Sequence, residues 1–306
     1  MALEIYQIVV LISIGALVGI SISFIGQTGL GIVLPIILLL TGDVFLAIAV
    51  NLLNDLITSV AVSIGYFRKK QFKVRIDTFM MMLIAVCVSF FGVLILMTTP
   101  LGNVFGWFIP LFTIILGITF LKRGFPTHES VKKMAQNLAR KTLRGKNEEE
   151  LAQLDEKIDE QFDSETDTIQ GFISTGSKLF YLLAIFFGIF IGLNSGLFGG
   201  SSGLIFVLAL VILYGYPLKK GVGTALILSM IISSFTFVFY QILGITIKGQ
   251  FFLNFELSLW LAIGSIISGI IASTYVQKLS AKTMGRAVGF VISVLGALAL
   301  VFYFIP

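Results

Sequence analysis

Charge is what this chain has least of. Only 12% of its 306 residues are Asp, Glu, Lys or Arg, against 57% hydrophobic, with a mean hydropathy of +1.02. A soluble domain keeps roughly a quarter of its residues charged, so the composition excludes an ordinary water-soluble globule and points to lipid as the solvent. There is one cysteine, Cys87, inside an apolar run, which excludes a disulfide framework and a Cys-based metal site. The single histidine, His128, lies in a polar stretch, so neither a His-cluster metal site nor Ser-His-Asp chemistry is available. Neither a metal nor a cofactor is expected. The net charge of +5 does not indicate nucleic acid, because the basic residues flank apolar runs instead of gathering on one face. The start, Met1 to Glu4, has no basic leader, and the first apolar run is long enough to span; it reads as a retained membrane segment.

What the chain does have is apolar runs, at about 5–24, 30–41, 44–67, 77–98 and 105–121, then at 179–199, 203–214, 221–246, 257–277 and 285–305. A helix needs about 20 residues to cross the hydrocarbon core. The second run of each set is too short, and each directly follows a glycine-rich stretch. In the first set this is Gly26-Gln27-Thr28-Gly29-Leu30-Gly31, with Pro35 just beyond. In the second it is Gly199-Gly200-Ser201-Ser202-Gly203. Paired glycine interruptions of hydrophobic segments mark the broken helices of secondary transporters, so a broken or re-entrant helix is expected in each set.

The two sets align without a gap over about forty residues. Gly15 falls on Gly188, Gly19 on Gly192, Gly26 on Gly199, Gly42 on Gly215, Thr28 on Ser201 and Asn51 on Thr224. Charge gives each half a direction. In the first half the basic loop, Arg68 to Arg75, separates the third and fourth runs. In the second half Lys219 and Lys220 precede the third run, and Lys278, Lys282 and Arg286 separate the fourth from the fifth. By the positive-inside rule the halves face opposite ways. The expected fold is thus an all-α integral membrane protein of two inverted repeats, each of about five hydrophobic segments: residues 1–121, then a polar helical insert at 122–178, then 179–306. Both termini are expected outside and the insert in the cytoplasm.

Glycines let a ligand approach the backbone, and a helix beginning at depth presents free N–H groups and the positive end of its dipole. Gly26, Gln27, Thr28, Gly29, Gly199, Gly200, Ser201, Ser202 and Gly203 are therefore candidate contacts to a small anion held without Lys or Arg. Asn51, Thr224 and Asn194 stand beside the breaks as further candidates. Small-residue helix packing is the competing explanation, and it accounts well for Gly15, Gly19, Gly188 and Gly192. Asp55 is the one ionisable side chain near the middle of a run, which by default is a functional position. A carboxylate there would repel an anion in the same cavity unless it carried a proton. Asp55 is accordingly a candidate for proton coupling, against the plainer role of locking helix packing through Asn51 or Asn54.

The stretch Gly196-Leu197-Phe198-Gly199-Gly200-Ser201-Ser202-Gly203, followed by Tyr216-Pro217-Leu218-Lys219-Lys220-Gly221-Val222-Gly223-Thr224-Ala225-Leu226, resembles the sulfite exporter TauE/SafE family. The resemblance covers both membrane halves. It implies a multi-pass plasma-membrane transporter of a prokaryote that moves sulfite, sulfonates or related sulfur-containing anions. The expected partners are a small anionic substrate and the lipid bilayer, with a homo-oligomer left open. An ion channel or cation carrier using Asp55 is the alternative. A membrane enzyme is disfavoured, since no catalytic constellation can be assembled from these residues.

Overall fold

The computed structural model describes residues 4–25, 33–72, 74–100, 178–200, 203–214, 216 and 218–275, with scattered positions between 111 and 122 and between 286 and 297. Within them the chain is helical, with no strand. In order the helices are α1 (Ile5–Ile25), α2 (Val33–Thr41), α3 (Val44–Arg68), α4 (Ile76–Thr98), α5 (Lys178–Phe198), α6 (Gly203–Ile212), α7 (Leu218–Leu243, prolonged by a π turn over Gly244–Lys248) and α8 (Phe255–Tyr275). Six of them are long and apolar enough to cross a membrane. The exceptions are α2, with 9 residues, and α6, with 10. The insert and most of the fifth run of each set lie outside the described residues.

The two largest interfaces exchange partners between the sets: α1 packs on α8, and α5 packs on α4. Both are built from glycine. A Cβ added to Gly15 would strike the Leu261 carbonyl, one on Gly19 the Ser265 carbonyl, and Ser23 Oγ donates to the Gly269 carbonyl at 2.8 Å. This constant interval means that α1 and α8 run in the same direction. Across the other interface Gly188, Gly192 and Gly196 meet the carbonyls of Met81, Ala85 and Ser89 in the same stepwise way. Lipid tails are as apolar as leucine, so close backbone approach, not hydrophobic exclusion, must hold such pairs. Gly19→Ile should therefore separate α1 from α8; the expected outcome is loss of the monodisperse peak in detergent gel filtration, whereas the lipid-facing Val10→Ile leaves it unchanged.

The third helices cross each other. Gly223, near the start of α7, lies against Gln71 and Tyr66 at the end of α3. At the other extreme Phe45, which opens α3, stacks on Phe252 at 5.3 Å and lies 5.4 Å from Lys248 Nζ. Hence α3 and α7 are antiparallel. By contrast α3 ends beside the ends of α1 and α8, where the Tyr66 hydroxyl donates to the Ser23 carbonyl and Lys69 Nζ to the Ser273 carbonyl. Since α1 and α3 run the same way, the chain between them must return across the bundle. Nine helical residues supply only about 14 Å of the roughly 30 Å needed, so α2 by itself is about half a crossing. The same holds for α6 between α5 and α7.

Burial corrects the alignment of the third helices. Residues 47–52 of α3 are buried, as are residues 221–226 of α7, and Asn54, Asp55, Thr58, Ser59 and Tyr66 match the buried Leu228, Ser229, Ile232, Ser233 and Tyr240. That register is one residue later than the one read from the glycines. Asn51 corresponds to Ala225, and Thr224 to Val50. The physical reason lies in the helix end and the connection together. Helix α6 stops at Ile212, two residues short of the equivalent of Thr41 in the glycine register. Five residues then join α6 to α7 where two join α2 to α3, which leaves a net shift of one.

Helix direction also sorts charge. Arg68, Lys69, Lys70, Arg75, Lys178 and Lys220 stand at one end of the bundle, with Asp77 paired to Arg75, and Glu4, Asp43, Glu256 and Lys248 at the other. At the basic end Tyr214 donates to the Asp77 carbonyl at 3.1 Å. Burial pushes the Tyr216 hydroxyl up to about 12 and raises that of Tyr214 as well.

Candidate functional site

The break in the second set is held by the first set. Helix α5 ends at Phe198, and Gly199 follows with φ +65, its N–H returning to the Ser195 carbonyl at 2.9 Å. That left-handed conformation is open to glycine and strained for most other residues. Space imposes the same demand, because a Cβ on Gly199 would strike the side chain of Ile48. Gly199, Gly200 and Gly203 are all buried, and irregular backbone at membrane depth must find internal partners. The partner is Asn51, fully buried on α3, whose Nδ2 donates to the Gly199 carbonyl at 2.7 Å. Its Oδ1 has no partner among the described residues. A buried amide that spends its donor on a helix break and keeps an acceptor free is fit to hold a water, or a proton-bearing ligand, beside that break.

Around the joint are two polar chains. The Ser195 and Thr236 hydroxyls lie 3.1 Å apart, and Thr236 Oγ1 donates to Ser89 Oγ at 3.1 Å, linking α5, α7 and α4. On the other side Thr58 Oγ1 donates to Ser265 Oγ at 2.7 Å, and Ser265 Oγ lies 3.0 Å from its acceptor, Asn54 Oδ1. Asn54 Nδ2 and the hydroxyls of Ser63, Ser229 and Ser233 are buried without partners among the described residues. Asp55 is buried at 0% exposure, one turn after Asn51 and beside Asn54. The stripe formed by 51, 54, 55, 58 and 59 has the three-and-four spacing of one helical face, so the polar residues of α3 form a continuous column inside the bundle.

The structure thus joins Asn51 to Gly199 and places Asp55 and the buried Thr224 inside. Asp55, Asn194, Gly200 and Thr224 are each engaged with a partner. Gly26, Gln27, Thr28, Gly29, Ser201 and Ser202 lie outside the described residues. Ser21 Oγ bonds back to the Leu17 carbonyl at 2.9 Å within its helix. Sequence reasoning missed the Ser195–Thr236–Ser89 chain, the Thr58–Ser265–Asn54 chain, and the two tyrosines Tyr66 and Tyr240. The tyrosines carried a signal, since each falls near the end of its third run.

The sequence profile of the Sulfite exporter TauE/SafE family matches residues 11–299. The chain belongs to that family. The match runs from within α1 to the last apolar run and so includes both helix sets and both glycine-rich stretches. As a TauE/SafE protein the chain is a multi-pass membrane protein of a transporter family. Neither a curated protein nor a solved structure matches it.

Proposed function

We propose that this TauE/SafE protein is a secondary transporter of small sulfur-containing anions of the sulfite and sulfonate class. It works by alternating access between two inverted halves, with the site where the two breaks face α3 and α7. The observation that carries this reading is the Asn51–Gly199 joint: a buried helix break of one half held by a side chain of the other, with an acceptor left over. Exchanged helix pairing and the antiparallel crossing of α3 with α7 support inversion. The substrate would be held by neutral donors at the breaks, those of Gln27, Thr28, Ser201 and Ser202 and the N–H groups opening α6 at Gly203. Neutral donors and helix ends bind an anion weakly enough to release it. Residues 1–121 and 179–306 form the halves, and 122–178 a cytoplasmic insert. The basic end faces the cytoplasm of a prokaryote and both termini lie outside, as the positive-inside rule requires. Asp55 carries the coupling proton.

Thermal shift of the purified protein with sulfite, thiosulfate, a taurine-like sulfonate, sulfoacetate and a carboxylate of the same size tests the substrate class. Stabilisation by the sulfur oxyanions and not by the carboxylate is the expected outcome. The reading fails if only the carboxylate stabilises. Because Asp55 sits in a polar column, a cation channel or carrier is the second reading; a cation-dependent, anion-insensitive current in liposomes would favour it.

A further inference from the structure

Two hydrogen bonds repeat across the halves. The Tyr66 hydroxyl near the end of α3 donates to the Ser23 carbonyl at 2.7 Å, and the Tyr240 hydroxyl near the end of α7 donates to the Gly196 carbonyl at 3.0 Å. Ser23 and Gly196 are equivalent by the glycine register, and each lies in the last turn of the helix leading to a break. Carbonyls in a last turn lack intrahelical donors, which is why an outside hydroxyl is taken up there. Tyr66 and Tyr240 are buried, at 6% and 0% exposure. Since α3 and α7 are antiparallel, the two bonds lie toward opposite ends of the bundle: Tyr66 two residues before Arg68, and Tyr240 on the side of Lys248. Both are closed in the same structure.

We infer that Tyr66 and Tyr240 are paired latches, each tying a first helix to the third helix of its own half, one at the basic mouth of the pathway and one at the opposite mouth. They are positioning residues. Neither needs to touch the substrate, because each fixes the helix that leads into a break. With both made, the protein is occluded; breaking one lets that mouth open while the other stays shut. Coupled latches of equal strength at opposite ends are what an alternating cycle requires, since a bias at either end shifts the population between states. The inference rests on the alternating-access reading and adds the residues that perform it.

The test uses Tyr66→Phe and Tyr240→Phe, which keep the ring and remove one hydroxyl, in a Cys87→Ser background with a Ser229→Cys reporter. The Ser229 hydroxyl is buried and has no partner among the described residues, so the reporter breaks no described bond. Ser63→Cys, likewise buried and unpartnered, serves if the first reporter does not fold. Labelling by a membrane-impermeant thiol reagent is measured from each side, with and without sulfite. One hydrogen bond is equivalent to about five-fold in population. Tyr66→Phe is expected to raise labelling about five-fold from the side of the basic loop only, and Tyr240→Phe to raise it from the opposite side only. Equal changes from both sides, or none, while sulfite still alters labelling of the protein with both tyrosines intact, would overturn the latches. If sulfite alters labelling in no variant, the transport reading itself fails.

Discussion

Gly199→Ala is expected to abolish transport, with proteoliposome uptake falling more than ten-fold and the thermal midpoint dropping by several degrees. Two independent costs meet at this position. The left-handed backbone at φ +65 costs an L-residue about 1–2 kcal/mol, and the added Cβ would collide with Ile48. Any shift that relieves the collision moves the Gly199 carbonyl away from Asn51 Nδ2, leaving two buried polar groups unpaired at about 1–3 kcal/mol each. Gly249 provides the control. It has the same φ of +65, but nothing among the described residues lies within 4 Å of its Cβ direction. Gly249→Ala should lower stability by the backbone cost alone and leave uptake near normal. If both variants lose uptake equally, backbone strain and not the joint explains the loss.

Asp55→Asn is expected to uncouple transport from protons. Asp55 is wholly buried, one turn from the residue that holds the break, and its structural counterpart on α7 is Ser229. Only one half therefore carries an acid at this position, which predicts one coupled proton per cycle. An anion and an ionised carboxylate in one low-dielectric cavity repel strongly, so protonation and anion binding should be linked. The amide cannot take part in that linkage. In Asp55→Asn liposomes, anion exchange between equal pools should persist while accumulation driven by a pH gradient disappears, and substrate-dependent proton flux should fall at least ten-fold. An unchanged pH dependence would leave Asp55 as a packing residue.

Much of this arrangement was legible in the residues. The glycine pattern disclosed the brevity of α2 and α6 and the difference between packing glycines and the break at Gly199. Gly15, Gly19, Gly188 and Gly192 do lie at helix crossings, whereas Gly199 takes a conformation that needs glycine. Asn51 was singled out for standing near a break, but its pairing with Gly199 of the other half depends on how the sets exchange helices. Local sequence does not encode that. The register of α7 lies one residue beyond that of the glycines because α6 ends two residues early while the connection after it is three residues longer. An apolar run carries no punctuation to reveal a one-residue slip. Tyr66 and Tyr240 escaped notice for a related reason. A tyrosine near the end of a membrane run has an ordinary explanation at the interface, and only the carbonyls of Ser23 and Gly196 show a different use.

The most direct test of the central claim is uptake of labelled sulfite by proteoliposomes containing the purified protein, with Gly199→Ala liposomes as the matched control. The account predicts saturable uptake, driven by an imposed pH gradient and competed by other small sulfur oxyanions, that is absent with Gly199→Ala. Sulfite entry no faster than in protein-free liposomes, or equal in both proteins, would contradict it.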